Sequence, residues 1–239
     1  MTNDELRHGN LNILQPDEGP RINIDTVLLS DWVKVRSRHN NFIELGCATG
    51  AISLLLARKF KNLKITGLDI QPELIELANE NLKINNLDSD SRIKFITGDL
   101  RNKNILNSEN FDGVIMNPPY ASSINGRISE NNLKSSARHD INCTPEDLAE
   151  CASRILKSKG RLFTVFNSMR LSEFLFCMEK FKLIPKRIKF IFPKSDRSSN
   201  IFLAEFIKDG GEGLEILPPL IIYDENNNYT QEIKEIYKT

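Results

Sequence analysis

The chain has 239 residues, 40% of them hydrophobic, with 32 Lys/Arg balanced by 32 Asp/Glu for a formal net charge of zero. That is enough apolar material for one sizeable core and too much for a disordered chain. No apolar run is long enough to cross a bilayer and Met1 to Asn10 is polar rather than signal-like, so a cytoplasmic location is expected.

After the polar start, Ile24 to Arg36 reads as a helix. Asn23 or Asp25 is placed to cap it, and Val27, Leu28, Leu29 and Trp32 lie on its inner side. Alternation follows. Strand-like runs at Phe42 to Leu45, Lys64 to Leu68, Ile93 to Thr97, Gly113 to Met116 and Arg161 to Phe166 are separated by helical patterns at Ala51 to Phe60, Pro72 to Asn85 and Pro145 to Lys157. Strands alternating with helices predict an α/β fold with a mostly parallel sheet covered on both faces. A further helix from Met169 to Phe181 leads to two strands, Lys186 to Phe192 and Asn200 to Ile207. The gap between these two strands is too short for a crossover helix, so they must pair antiparallel. Ser122 to Asn142 is the one long polar loop. One domain over 1–239 is expected: an N-terminal segment and helix (1–38), a sheet core (39–208) and a C-terminal extension (209–239).

The chemistry gathers at strand ends. The first strand-to-helix turn, F-I-E-L-G-C-A-T-G-A-I-S, places Gly46 and Gly50 where the backbone turns sharply and can approach a ligand closely. The second strand ends in Asp69, a carboxylate able to accept both hydroxyls of a ribose; the competing reading is a helix cap before Pro72. The third ends in Asp99, placed to accept from an adenine amino group, with the Leu100 N–H as a donor to a ring nitrogen. The fourth ends in Asn117-Pro118-Pro119-Tyr120. Two prolines alone would stop a strand. They would also hold the Asn117 oxygen and the Pro118 carbonyl rigidly as two acceptors for the two N–H bonds of one amine, with Tyr120 stacking on a planar base. Glu44, Asp69, Asp99 and Asn117 thus each close a successive strand, so one ligand site at one sheet edge explains all four.

The zero net charge is an average over blocks. Residues 1–150 carry 17 Lys/Arg against 21 Asp/Glu, residues 151–208 carry 13 against 4, and residues 209–239 carry 2 against 7. The basic block is the candidate for phosphate contacts, especially Lys186, Arg187, Lys189, Lys194 and Arg197. Cys47, Cys143, Cys151 and Cys177 form no C-x-x-C pair, and His8, His39 and His139 are scattered, so neither a metal site nor a nucleophile triad is expected.

On these motifs the chain resembles the bacterial tRNA1(Val) (adenine-37-N6)-methyltransferase family, whose members carry N-P-P-Y. The segment Q-P-D-E-G-P-R-I-N-I-D-T-V-L-L-S-D, the loop A-R-H-D, and P-K-R-I-K-F-I-F-P, P-P-L-I-I-Y and Y-T-Q-E-I toward the C-terminus all resemble family segments. Two positions depart from the pattern: Pro20 stands where an aromatic is common, and Ala48 replaces the middle glycine of the turn. The resemblance implies a Rossmann-like class I fold of seven strands ending in an antiparallel hairpin, with S-adenosyl-L-methionine as cofactor and tRNA as partner, and with no metal, membrane or obligate protein partner. Glu44, Gly46, Gly50, Asp69, Ile70, Asp99, Leu100 and Asn117 are then the cofactor candidates. Asn117, Pro118 and Tyr120 are the catalytic candidates, and Pro119, Arg138 and His139 are candidates for contacting the substrate. An N-P-P-Y enzyme acting on the guanine N2 of ribosomal RNA, on DNA adenine or on a release-factor glutamine is the alternative, as is a non-catalytic RNA-binding relative. The release-factor family carries a helical domain before its glycine turn, whereas only some forty residues precede Glu44 here.

Overall fold

A computed structural model describes residues 2–6, 10–17, 21–106, 108, 110–119 and 143–238. Tyr120, Arg138, His139 and the whole of the polar loop from Ser122 to Asn142 lie outside them. A hairpin of β1 (Thr2–Leu6) and β2 (Leu11–Gln15) precedes helix α1 (Ile24–Trp32). Then come β3 (Asn41–Leu45), α2 (Ala51–Lys59), β4 (Lys64–Asp69), α3 (Pro72–Ile84), β5 (Ile93–Thr97) and β6 (Phe111–Met116). Beyond the loop follow α4 (Pro145–Ile155), β7 (Leu156–Asn167), a 3-10 turn (Ser168–Arg170), α5 (Leu171–Lys180), β8 (Leu183–Phe192) and β9 (Ile201–Lys208). Two short strands, β10 (Glu215–Ile216) and β11 (Leu220–Ile221), and helix α6 (Gln231–Ile236) complete the order.

The main sheet runs β10-β8-β9-β7-β6-β3-β4-β5, with β11 also beside β8. Strands β3 to β7 pair in parallel, and β9 is inserted antiparallel between β7 and β8. The antiparallel pair expected from the short gap is therefore present, within the mostly parallel α/β sheet expected from the alternation. The strand order reverses at β3, and ligands of open α/β sheets bind at such a switch point.

One core layer packs on each face. The first joins Phe42, Ile115, Phe163 and Leu203 to α1, α2 and α3, and the second joins Met116, Phe166, Phe202 and Phe206 to α4 and α5. Local signals fix the helix ends. Asn23, rather than Asp25, caps α1 by accepting from the Thr26 N–H, and Thr144 and Asp147 form a reciprocal capping box on α4. Helix α1 stops at Trp32, short of the expected Arg36, because Val33 is already extended, with φ −61° and ψ 130°. Strand β7 begins at Leu156, directly after α4, where a helix to Lys157 was expected.

Candidate active site at the strand ends

Register brings the predicted residues together. Leu45 pairs with Leu68 on one side and Met116 on the other. The next residues, Gly46, Asp69 and Asn117, therefore stand side by side beyond one row. With strands about 4.8 Å apart, Asp69 and Asn117 flank the turn within about 10 Å of each other. Asp69 pairs with Thr97, and the Gly98 N–H donates to the Asp69 carbonyl at 2.8 Å, which draws Asp99 to the same edge.

The turn is built by backbone bonds. The N–H groups of Gly46 and Cys47 both donate to the Leu68 carbonyl, at 2.8 and 3.0 Å, and Gly50 donates to Cys47 at 2.8 Å. Gly46 and Gly50 adopt φ +72° and +80°, and Ala48 is left-handed at φ +47°. Ala48 thus occupies a conformation that favours glycine, stabilised by its N–H donating to Asp69 Oδ2 at 2.8 Å. The other Asp69 oxygen accepts from the Gln71 N–H at 3.0 Å, while Gln71 is the N-cap of α3. Asp69 is therefore a brace between the turn and the helix entry rather than the cap itself. Burial raises its pKa, and backbone N–H groups of Gln71, Ala48 and Ile70 pull it partly back.

Glu44 is placed differently from the other strand-end acids. Its side chain is covered and turned beneath α2, where Oε2 accepts from the Ser53 N–H at 3.0 Å and the Ser53 hydroxyl at 2.5 Å. This anchors the turn from below. Asp99 is half-buried, and its carboxylate is gripped by the Arg101 guanidinium, with Nη2 to Oδ2 at 2.6 Å, which lowers its pKa. Ile70 and Leu100 line the same edge half-buried; Pro118 is buried and Pro119 exposed.

The five basic candidates separate. Arg187 pairs with Glu205 at 3.0 Å and lies over the Trp32 ring, 4.4 Å from its centroid. Lys186 donates to the Glu212 carbonyl at 3.0 Å, and Lys189 pairs with Glu232 at 2.6 Å. These three charges are committed to holding β8 against its neighbours and the C-terminal segment. Lys194 and Arg197 sit instead in the β8–β9 connection, on the edge that carries Asn117.

Two positioning residues have no signature in the linear motifs. Asn81 exchanges hydrogen bonds with both backbone groups of Leu14 and donates to the Thr49 carbonyl at 3.0 Å; Asn85 grips Asn12 in the same way. Both amides pair the open edge of β2, and Asn81 also ties it to the glycine turn. The signal available was two asparagines four apart on the otherwise apolar face of α3.

A family model described as the methyltransferase small domain matches residues 19–184. The tRNA1(Val) (adenine(37)-N6)-methyltransferase of Haemophilus influenzae is 27% identical over 226 residues, spanning 91% of this chain and 90% of its own length. That of Vibrio vulnificus is 30% identical over 149 residues, 62% of this chain and 59% of its own. Among solved structures, a predicted O-methyltransferase from Agrobacterium tumefaciens superposes with a TM-score of 0.73 at 21% identity, covering 89% of this chain and 95% of that one. A geranyl diphosphate C-methyltransferase from Streptomyces coelicolor, solved with S-adenosyl-L-homocysteine, gives 0.58 at 13% identity over 77% of each chain. The structural likenesses show the fold.

Proposed function

The chain belongs to the methyltransferase small domain family, and on that premise we propose that it transfers a methyl group from S-adenosyl-L-methionine to the N6 amine of an adenosine in tRNA, adenine 37 of tRNA1(Val). The observation that carries this reading is the row of Asp69, Gly46 and Asn117 on three adjacent strand ends. The relative that bears the name of this reaction and aligns over nine-tenths of its length supports the choice of substrate. Residues 1–239 then act as one methyltransferase domain.

The residues fit the cofactor on two counts. A Cβ at Gly46 would meet no atom within 4 Å, so the turn faces open space. The buried Asp69 carboxylate accepts the Ala48 N–H on one oxygen and the Gln71 N–H on the other, with the Ile70 N–H also bearing on it, and a carboxylate's roughly four acceptor sites leave capacity for a hydroxyl. Bound, the cofactor supplies a methyl group on a sulfonium, whose departure needs no strong base. An amine of the cofactor's adenine reaching Asp99 would replace Arg101 as its donor. Asn117 and the Pro118 carbonyl accept the two N–H bonds of the substrate amine and aim its lone pair, which conjugation with the ring otherwise delocalises. Tyr120, Arg138 and His139 keep stacking and recognition roles by their place in the motifs. An adenosine stacked in a loop must turn outward to enter, at a cost of a few kcal/mol.

Labelled cofactor and unmodified tRNA test the reaction. Digestion is expected to release N6-methyladenosine; label in N2-methylguanosine or in a release factor would reject the reading. The two glycines should separate binding from stability. Gly46→Ala, entering open space at a positive φ, is expected to cost about 1 kcal/mol of stability and to weaken cofactor binding about tenfold or more, by calorimetry. Gly50→Ala places its Cβ 2.5 Å from the Phe95 ring. It is expected to lose about 2–4 kcal/mol by urea denaturation, from left-handed strain and overpacking together.

A further inference from the structure

The sheet edge does not stop at Asn117. Strands β7, β9 and β8 rise beyond it: Met116 is level with Thr164, Ala204 and Ile188, whereas pairing continues to the row of Asn167, Ile201 and Ile191. These strands overtop the Met116 row by three residues, about 10 Å, and β8 lies three spacings, about 14 Å, to the side of β6. At the top of this wall is an open cavity of about 580 Å³ lined by Pro193, Lys194, Arg197, Asn200, Tyr223 and Asn227, among others.

One wall of the cavity ends a column of rings. Tyr237 stacks on Tyr229 at 5.6 Å, and Tyr229 on Tyr223 at 5.3 Å, with interplanar angles of 18° and 14°. Tyr223 is the end ring, it is exposed, and it lines the cavity. A stack that stops at an open space can be extended by another planar group. The amides of Asn200 and Asn227 offer donors and acceptors to a base edge, and Lys194 and Arg197 offer charge to phosphates. The nearby acids are no obstacle to one strand. Asp224 turns its carboxylate into its own loop, accepting from the N–H groups of Asn226 and Asn228, both at 2.9 Å. Asp196 lies 4.0 Å from Arg197 with both side chains 71% exposed, a pairing that a phosphate can replace.

We propose that this cavity is a second nucleotide subsite, where a base of the substrate strand extends the Tyr237–Tyr229–Tyr223 column while Lys194 and Arg197 hold its phosphates. The inference rests on the RNA-methylation reading and extends it. Cavity and target amine are separated by about 17 Å, the rise of about five stacked nucleotides, so both can be filled by one loop. All the lining residues named lie beyond residue 184, where the family match ends. The subsite therefore lies outside the part of the chain that the general methyltransferase model matches.

The test is fluorescence anisotropy with an eight-nucleotide single-stranded RNA, beside methylation kinetics on unmodified tRNA. Tyr223→Ala is expected to weaken oligomer binding about tenfold and to raise KM for tRNA by a similar factor with kcat unchanged. Tyr223→Phe keeps the ring and should stay within about twofold. Lys194→Gln leaves the column intact, so it reports even if Tyr223→Ala loosens the C-terminal segment; it should lower the slope of log affinity against log salt by about 0.7. Wild-type protein that does not bind the oligomer, or Tyr223→Ala and Lys194→Gln variants that bind it as wild type does, would overturn the subsite. A wild-type protein that binds the oligomer through Tyr223 yet forms no N6-methyladenosine would reject the tRNA reaction and leave the subsite standing.

Discussion

Replacing Asn117 with Ala is expected to lower turnover on unmodified tRNA about 100-fold or more while S-adenosyl-L-methionine affinity changes by less than about threefold. Asn117 stands one residue beyond the Met116–Leu45 pair, directly before two prolines, the first of them buried. The prolines fix the backbone path whatever side chain precedes them, so the truncation removes an acceptor without redirecting the chain. In the proposed site the amine would then keep only the Pro118 carbonyl and would be free to rotate its lone pair back into conjugation with the ring. Asn117→Asp keeps acceptor oxygens and should retain more activity than the alanine variant. Calorimetry and single-turnover kinetics on the same preparations check both halves. Cofactor affinity falling in step with turnover would show that Asn117 supports the fold of the edge instead.

The parallel core could be read from the chain because local and global signals agree there. Runs such as Ile93 to Thr97 are bounded by turn residues and spaced by amphipathic helices, so their pairing order is nearly forced. The hairpin of β1 and β2 was not legible. Its residues T-N-D-E-L lack apolar alternation, and β2 is held partly by the side chains of Asn81 and Asn85, some seventy residues away. Strands β10 and β11, two residues each, exist only through their pairing with β8. Helix α6 likewise depends on the rest of the fold, through the buried Ile233.

For the site, position along the chain revealed which residues reach the edge but not what each one touches. By sequence Asp69 reads as ribose acceptor or helix cap, and its bonds to Ala48 and Gln71 make it a brace that retains accepting capacity. Glu44 stands one residue before the end of its strand rather than at it, and its carboxylate turns under α2, because the hydroxyl and N–H of Ser53 offer it partners there. The basic block divides for a similar reason. Glu205, almost fully buried, draws Arg161 and Arg187 from strands on either side, and such pairings cross 44 and 18 residues. Charge counts along a chain do not show which cations a buried acid has already claimed.

Glu44→Gln is expected to change the pH dependence of stability more than any other single substitution at the site. Burial pushes the Glu44 carboxyl up to about 8, the hydrogen bonds from Ser53 lower it in part, and the nearby Asp69 adds a smaller rise. In the unfolded chain the same group titrates near 4.3. Between these values the folded protein holds a proton that the unfolded chain has released. Its contribution to stability is therefore complete below the unfolded pKa and is lost as pH rises toward 8, by at most about 1.4 kcal/mol per pH unit. Glutamine keeps an oxygen for Ser53 and carries no titrating proton. Urea denaturation at pH 5, 6.5 and 8 should find variant and wild type close at pH 5 and the variant more stable by a few kcal/mol at pH 8. A difference that stays constant across that range would mean that Glu44 is already ionised in the folded protein, with Ser53 and its surroundings compensating the buried charge.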